Sequence, residues 1–231
     1  MLSAPLRMRD KPSKDDVGTY FATIEQNGVT IAAAYCPPRK WLHLTPIPPE
    51  AIALLVEDMC RHQATPEFVV ADAQSAQQFA QGWSKANDIK VNQDYGLRIY
   101  QLERVMPPRA TPGMLRLGEA KDEKLVGDWS VAFDTEVDYG DASAIKGLML
   151  AALDEQRLYL WDDGGPVSML ARNAPTANSE RVSVVYTPPN LRGKGYGAAA
   201  NAALAQIILD SGKRYACLFA DTNNAISNKM Y

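Results

Sequence analysis

Histidine and cysteine are scarce in this chain of 231 residues, and their placement excludes several kinds of chemistry. The two histidines, His43 and His62, have no ligand-like neighbours in sequence, so they read as packing or surface residues and no metal site is expected. The three cysteines, Cys36, Cys60 and Cys217, are an odd number, far apart and without a CxxC pair. That pattern predicts reduced thiols in a cytoplasmic protein rather than a disulfide scaffold. A formal net charge of −3 offers no general attraction for nucleic acid or an anionic membrane, so neither is an expected partner. No apolar run approaches the roughly 20 residues that cross a bilayer. The opening "MLSAPLRMRDKPSKDD" holds no apolar core of signal-peptide length.

What remains is a chain with 46% hydrophobic residues, enough to bury a core in one large domain or two small ones. The segment "MPPRATPG" (Met106 to Gly113) can continue neither a helix nor a central strand, so it reads as a linker between 1–107 and 108–231. In the first half, "TYFATIEQ" and "VTIAAAYC" flank Asn27-Gly28, a dipeptide suited to the positive φ of a two-residue hairpin turn. "IPPEAIALLVEDMCRH" reads as a helix with Ile52, Leu55, Val56 and Met59 apolar. A strand "PEFVVAD", a helix "AQSAQQFAQGWSKA" and a closing strand "GLRIYQLERV" follow. The second half reads as strand, helix, helix, hairpin, strand, glycine loop, helix and strand. Its first helix carries Leu125, Val126, Trp129 and Phe133 on one face, and its hairpin turns at Asp162-Asp163-Gly164-Gly165. The class is mixed α/β.

The most informative stretch is "NLRGKGYGAAANAALAQI" (190–207). Glycines directly before a helix let an anion approach main-chain N–H groups that have no intrahelical partner and lie at the positive end of the helix dipole. Arg192 and Lys194 add positive charge. The plainer reading is a glycine turn that joins strand to helix. Gly193, Gly195 and Ala198 satisfy a relaxed GxGxxA dinucleotide fingerprint, but "TPPNLR" separates them from the strand, too long and proline-rich for the tight turn that fold needs. No Ser or Thr follows Lys194, which excludes a Walker A loop.

"VVYTPPNLRGKGYG" resembles the central motif of the GNAT superfamily of acyl-CoA-dependent N-acetyltransferases, with Arg192, Gly195 and Gly197 in the Q/R-x-x-G-x-G/A positions. Downstream, "DTNNAISNKMY" is similar to the family's N-x-x-S-N-x-x-Y element through Asn224, Ser227, Asn228 and Tyr231. The resemblance covers most of 114–231. The first half looks like a divergent second copy, and its counterpart of the loop, taken as "VVADAQSAQQFAQ", has no glycine before the helix. Two tandem GNAT-like halves are therefore expected, the second catalytic.

The resemblance implies transfer of an acetyl group from acetyl-CoA to a small-molecule or peptide amine by direct attack. It implies that Val184, Val185 and Tyr186 pair with the pantetheine arm through their main chain. The amides of Arg192, Gly193, Lys194, Gly195, Tyr196 and Gly197 would hold the coenzyme A diphosphate. Asn224 and Ser227 would lie along the arm, and both are also good N-cap residues for a final helix. Tyr231 would donate a proton to the departing thiolate. Candidate acceptor or base carboxylates are Asp134, Glu136, Asp138, Asp141, Asp162, Asp163 and Asp221, with Asp134 and Glu136 the acceptor-side choice. Cys217, mid-strand in an apolar run, reads as packing. The family continues past the tyrosine with further strands. Their absence implies an uncovered sheet edge, filled by a longer form of the chain or by a partner such as a second copy in a homo-oligomer. A non-catalytic acyl-CoA sensor and an interaction module with an architectural glycine loop are the alternatives.

Overall fold

The hairpin around Asn27-Gly28 forms as expected in the computed structural model, which describes residues 18–37, 41–92, 96–137 and 142–231. Strands β1 (Tyr20–Gln26) and β2 (Val29–Cys36) pair antiparallel, and both turn residues take positive φ, 54° and 77°. The chain divides into two units, Met1–Asp94 and Tyr95–Tyr231.

In the first unit β2 pairs antiparallel with a short strand absent from the sequence reading, β3 (Trp41–Leu44). Helix α1 (Pro49–Arg61) then leads to β4 (Phe68–Val70), parallel to β3. The sheet order is β1-β2-β3-β4. Proline opens α1, and Ile52, Leu55, Val56 and Met59 are buried, as their spacing requires. Helix α2 (Ala73–Asn87) is capped by Asp72, which accepts from the Ser75 amide at 3.1 Å. It adds Phe79 and Trp83 to the same core.

The second unit is a six-stranded sheet, in the order β5-β10-β9-β8-β7-β6. Its strands are β5 (Leu97–Leu102), β6 (Met114–Leu117), β7 (Leu158–Asp162), β8 (Pro166–Asn173), β9 (Ser179–Tyr186) and β10 (Tyr215–Asp221). Helices α3 (Glu123–Val137) and α4 (Ala142–Asp154) pack on one face, where Val126 and Met149 meet Leu160, Met169, Val184 and Tyr186. Helix α5 (Tyr196–Asp210) covers the other, with Ala200, Leu204 and Ile208 against Leu170, Val182 and Leu218. Gly212, at φ 89°, follows its C-terminus as a helix-ending glycine. A short helix α6 (Ala225–Met230) follows β10.

One strand belongs elsewhere than its sequence suggests. "GLRIYQLERV" does not close the first unit. It is β5, paired antiparallel with β10 from Leu97↔Asp221 to Leu102↔Ala216. The outer edge of β10, expected to be bare, is thereby covered by a strand that precedes the linker. A period-two pattern announces a strand but carries no information about which sheet receives it.

Candidate functional site at the mouth of a divergent strand pair

Strands β9 and β10 run parallel but pair at three positions, Ser179↔Tyr215, Glu180↔Ala216 and Arg181↔Cys217. β9 continues to Tyr186 and β10 to Asp221 without further ladder pairs between them among the described residues. The divergence leaves the β10-facing main chain of β9 available from Val182 onward. On its other side β9 bulges against β8: Met169 faces Tyr186 while Ala171 faces Ser183. Val184 sits in the bulge at φ 50°. A left-handed β-branched residue costs about 1–3 kcal/mol, and such strain clusters at sites where the backbone is held for use. Ser168 fixes the strand end by donating to the Tyr186 carbonyl at 2.9 Å.

The path from β9 to α5 is Thr187-Pro188, one 3-10 turn (Pro189–Leu191) and the glycine loop. Gly193 and Gly195 take φ 79° and 89°, which explains both glycines. A Cβ on Gly193 would meet nothing within 4 Å, so the loop is open there, whereas a Cβ on Gly197 would come 3.3 Å from the Thr187 hydroxyl, a tight approach. Gly195 is the N-cap of α5; no side chain caps the helix and its first turn holds no acidic residue. The first amides of a 15-residue helix are therefore left to an external acceptor.

Side chains around the loop have other partners than the sequence reading gave them. Arg192 donates to the Thr187 carbonyl at 2.8 Å and to Glu136 on α3 at 2.5 Å, and its guanidinium lies 5.9 Å from the centre of the Tyr186 ring. Its charge is thus turned toward the helix that bears the candidate acceptor carboxylates. Tyr186 packs edge-on against Trp129 and Phe133, and burial, followed by the Glu136 charge, pushes its hydroxyl above the ordinary range. Tyr196 donates to Asp163 at 2.6 Å, which ties the start of α5 to the β7–β8 turn and raises the Tyr196 hydroxyl in the same direction. Lys194 is exposed.

The second motif lies against the first. Met230, at the end of α6, has its sulfur 3.7 Å from where a Cβ on Gly197 would be. Asn224 accepts from the Ser227 amide at 3.0 Å, so the capping role is real. Tyr231 is half-buried against the cluster that contains Tyr196, Ala200 and Ala220, and burial raises its hydroxyl far above the ordinary range.

The candidate carboxylates do not form one acidic wall. Asp162 accepts from Arg116 at 2.8 Å and from the Gly165 amide at 2.9 Å, which makes it a hairpin-turn and ion-pair residue. Asp163 holds Tyr196, and Asp221 accepts from the Asn223 amide at 2.8 Å. Asp134 is buried on α3 while Glu136 is exposed beside Arg192. Asp138 and Asp141 lie outside the described residues. Sequence reasoning missed Arg116, whose guanidinium joins Asp122 at 2.7 Å and Asp162 and holds the Asp122 carboxyl below its usual range. The thiol of Cys217 is pushed up by burial, which disfavours the reactive thiolate.

No protein-family model matches the sequence, and no curated protein does so either. Solved structures do resemble it. A GCN5-related N-acetyltransferase from Sphaerobacter thermophilus is 15% identical with a TM-score of 0.60, over 99% of this chain and 80% of that one. A GNAT-family acetyltransferase from Colwellia psychrerythraea is 11% identical with a TM-score of 0.57, over 97% and 83%. A GCN5-related N-acetyltransferase from Kribbella flavida is 15% identical, also with a TM-score of 0.57, over 86% and 81%. No helix among the described residues is long and apolar enough to cross a membrane. Divergent parallel strands, a bulged β9 and a glycine-opened α5, in a chain superposable on these structures, show that this protein has the GNAT fold.

Proposed function

We propose that the protein is a cytoplasmic N-acetyltransferase that moves an acetyl group from acetyl-CoA to an amine, with its chemistry in the second unit. The observation that carries the reading is the coincidence of the β9–β10 divergence with the uncapped start of α5. That pairing suits a long ligand with an anionic middle. An extended arm finds unused main-chain groups along β9, and a diphosphate finds free amides and no acidic side chain at the helix start. When bound, acetyl-CoA supplies the acyl group already activated as a thioester.

The chain's own residues then divide the work. Val184, Val185 and Tyr186 would hold the arm through their main chain, and an amide of the strained bulge would serve the carbonyl oxygen where charge grows. Main-chain amides from Gly193 to Gly197 hold the diphosphate, the Arg192 amide being given to the Pro189 carbonyl at 3.3 Å, and Asn224 and Ser227 flank the arm. Tyr231 gives its proton to the departing sulfur: its O–H bond breaks as an S–H bond forms, and the proton shed by the acylated nitrogen restores the phenol. A hydroxyl raised by burial keeps that proton at neutral pH. Of the two acceptor-side carboxylates, the exposed Glu136 meets the incoming amine, while Asp134 is buried on α3. Positioning supplies much of the acceleration.

A non-catalytic acyl-CoA sensor is the second reading, and one observation favours it: Arg192 and Glu136, assigned to cofactor and acceptor, neutralise each other. Calorimetry with coenzyme A and thiol release from acetyl-CoA across a panel of amines separate the readings. We expect binding, release with at least one amine, and a roughly hundredfold fall in kcat for Tyr231→Phe with unchanged affinity for coenzyme A. Binding without release from any amine selects the sensor; no binding removes both.

A further inference from the structure

We propose that Tyr100, on β5, is the positioning residue for Tyr231: it orients and shields the phenol from a strand that lies on the far side of the linker in sequence. The inference rests on the proton-donor reading of Tyr231. Tyr100 sits opposite Leu218 in the β5–β10 ladder. Its ring centre lies 5.7 Å from that of Tyr231, with the planes inclined at 53°, a tilted arrangement that aromatic pairs favour. Its hydroxyl donates to the Asn228 Oδ1 at 2.8 Å.

Asn228 is the reason this contact matters. Its amide nitrogen lies within bonding distance of the carbonyls of Asp221 at 2.7 Å, Asn224 at 2.8 Å and Thr222 at 3.2 Å. One side chain thus ties the end of β10, the following turn and the start of α6. The Tyr100 hydroxyl holds the other end of that amide and fixes which way it points. Tyr231 immediately follows α6, and its amide bonds to the Ser227 carbonyl at 3.0 Å. Tyr100 therefore acts on Tyr231 twice, through the turn that presents it and through the ring that screens it from water. Among the described residues around the pair, Arg98 donates to the Tyr100 hydroxyl at 3.4 Å, Tyr196 shares the same apolar cluster, and burial is the source of the shift at Tyr231.

Tyr100→Phe keeps the ring and loses the hydrogen bond, while Tyr100→Leu loses both. In the free full-length protein, with ring carbons of tyrosine labelled, magnetic resonance follows the Tyr231 hydroxyl as pH rises. The wild-type signal and that of Tyr100→Phe stay protonated through pH 10, about the ordinary tyrosine value. Tyr100→Leu brings the midpoint down toward that value. In steady state, Tyr100→Phe lowers kcat about threefold and Tyr100→Leu about thirtyfold, each with KM for acetyl-CoA within twofold of wild type. A folded Tyr100→Leu protein whose Tyr231 titration does not move overturns the proposal. If that variant does not fold, an unchanged kcat in Tyr100→Phe overturns it instead. The reading of Tyr231 fails separately, by wild-type turnover in Tyr231→Phe, and the titration in the free protein does not depend on it.

Discussion

Among the described residues each unit carries one parallel strand pair joined through a helix, β3–α1–β4 in the first and β9–α5–β10 in the second, yet the chain enters the two helices in opposite ways. Both turns open alike, with Thr45-Pro46 after β3 and Thr187-Pro188 after β9. In the first unit Pro48 and Pro49 then start the helix, and Glu50 occupies its first turn. Proline has no N–H to offer, and a carboxylate at the positive end of the dipole takes the place an anion would fill. In the second unit glycine starts the helix and its first turn carries no acid. The same succession of elements is closed to a phosphate in one case and open in the other. On the proposed reading, the candidate site follows from the amides and charges of one helical turn rather than from the topology.

This comparison can be broken in three places. The largest effect is expected from Gly193→Asp, which adds a carboxylate to the loop at a position where a Cβ meets nothing within 4 Å. Calorimetry should show coenzyme A binding about 100-fold weaker, about 2.7 kcal/mol, and weaker than in Gly193→Asn, which carries the same backbone strain at φ 79° without the charge. Unchanged affinity would make the second turn as architectural as the first. Next comes Asp122→Asn, expected to remove about 2 kcal/mol from the second unit in urea unfolding at pH 7 by stripping Arg116 of a buried ionic partner. The native carboxyl lies below its ordinary value, so its contribution is whole above the unfolded pKa of about 3.9 and fades as pH falls through the folded one. The gap between wild type and variant should therefore close in acid; a gap constant down to pH 2 refutes the ionic account. The smallest effect is Glu50→Lys, which leaves coenzyme A stoichiometry and affinity as they were, because the missing proline N–H remains missing. A second bound equivalent would show that charge alone had closed the first turn.

The backbone features of the candidate site are legible because they are written in local chemistry. Glycines at positive φ, a proline-stopped strand and a helix without a capping side chain are local facts, and they survive translation into structure. The counterpart of the loop in the first unit was misplaced for the opposite reason. "VVADAQSAQQFAQ" joins β4 to α2, whereas the parallel crossover enters α1 through "LTPIPPEAI", and only strand pairing reveals that. β3 escaped notice because four residues are too few to show a period. The carboxylates at Asp162, Asp163 and Glu136 resembled an acidic surface in one dimension. Their real partners, Arg116, Tyr196 and Arg192, come from other elements. Tyr100 had no signal at all, since its partner Asn228 lies 128 positions away.

That separation also sets an order of events at the ribosome. Synthesis proceeds at about 5–20 residues per second, so β5 leaves the exit tunnel several seconds before β10 exists to receive it. During that interval a strand with exposed Leu97 and Ile99 has no ladder of its own. Completion of the sheet, and with it the setting of Tyr231, waits for β10 and α6 to be made.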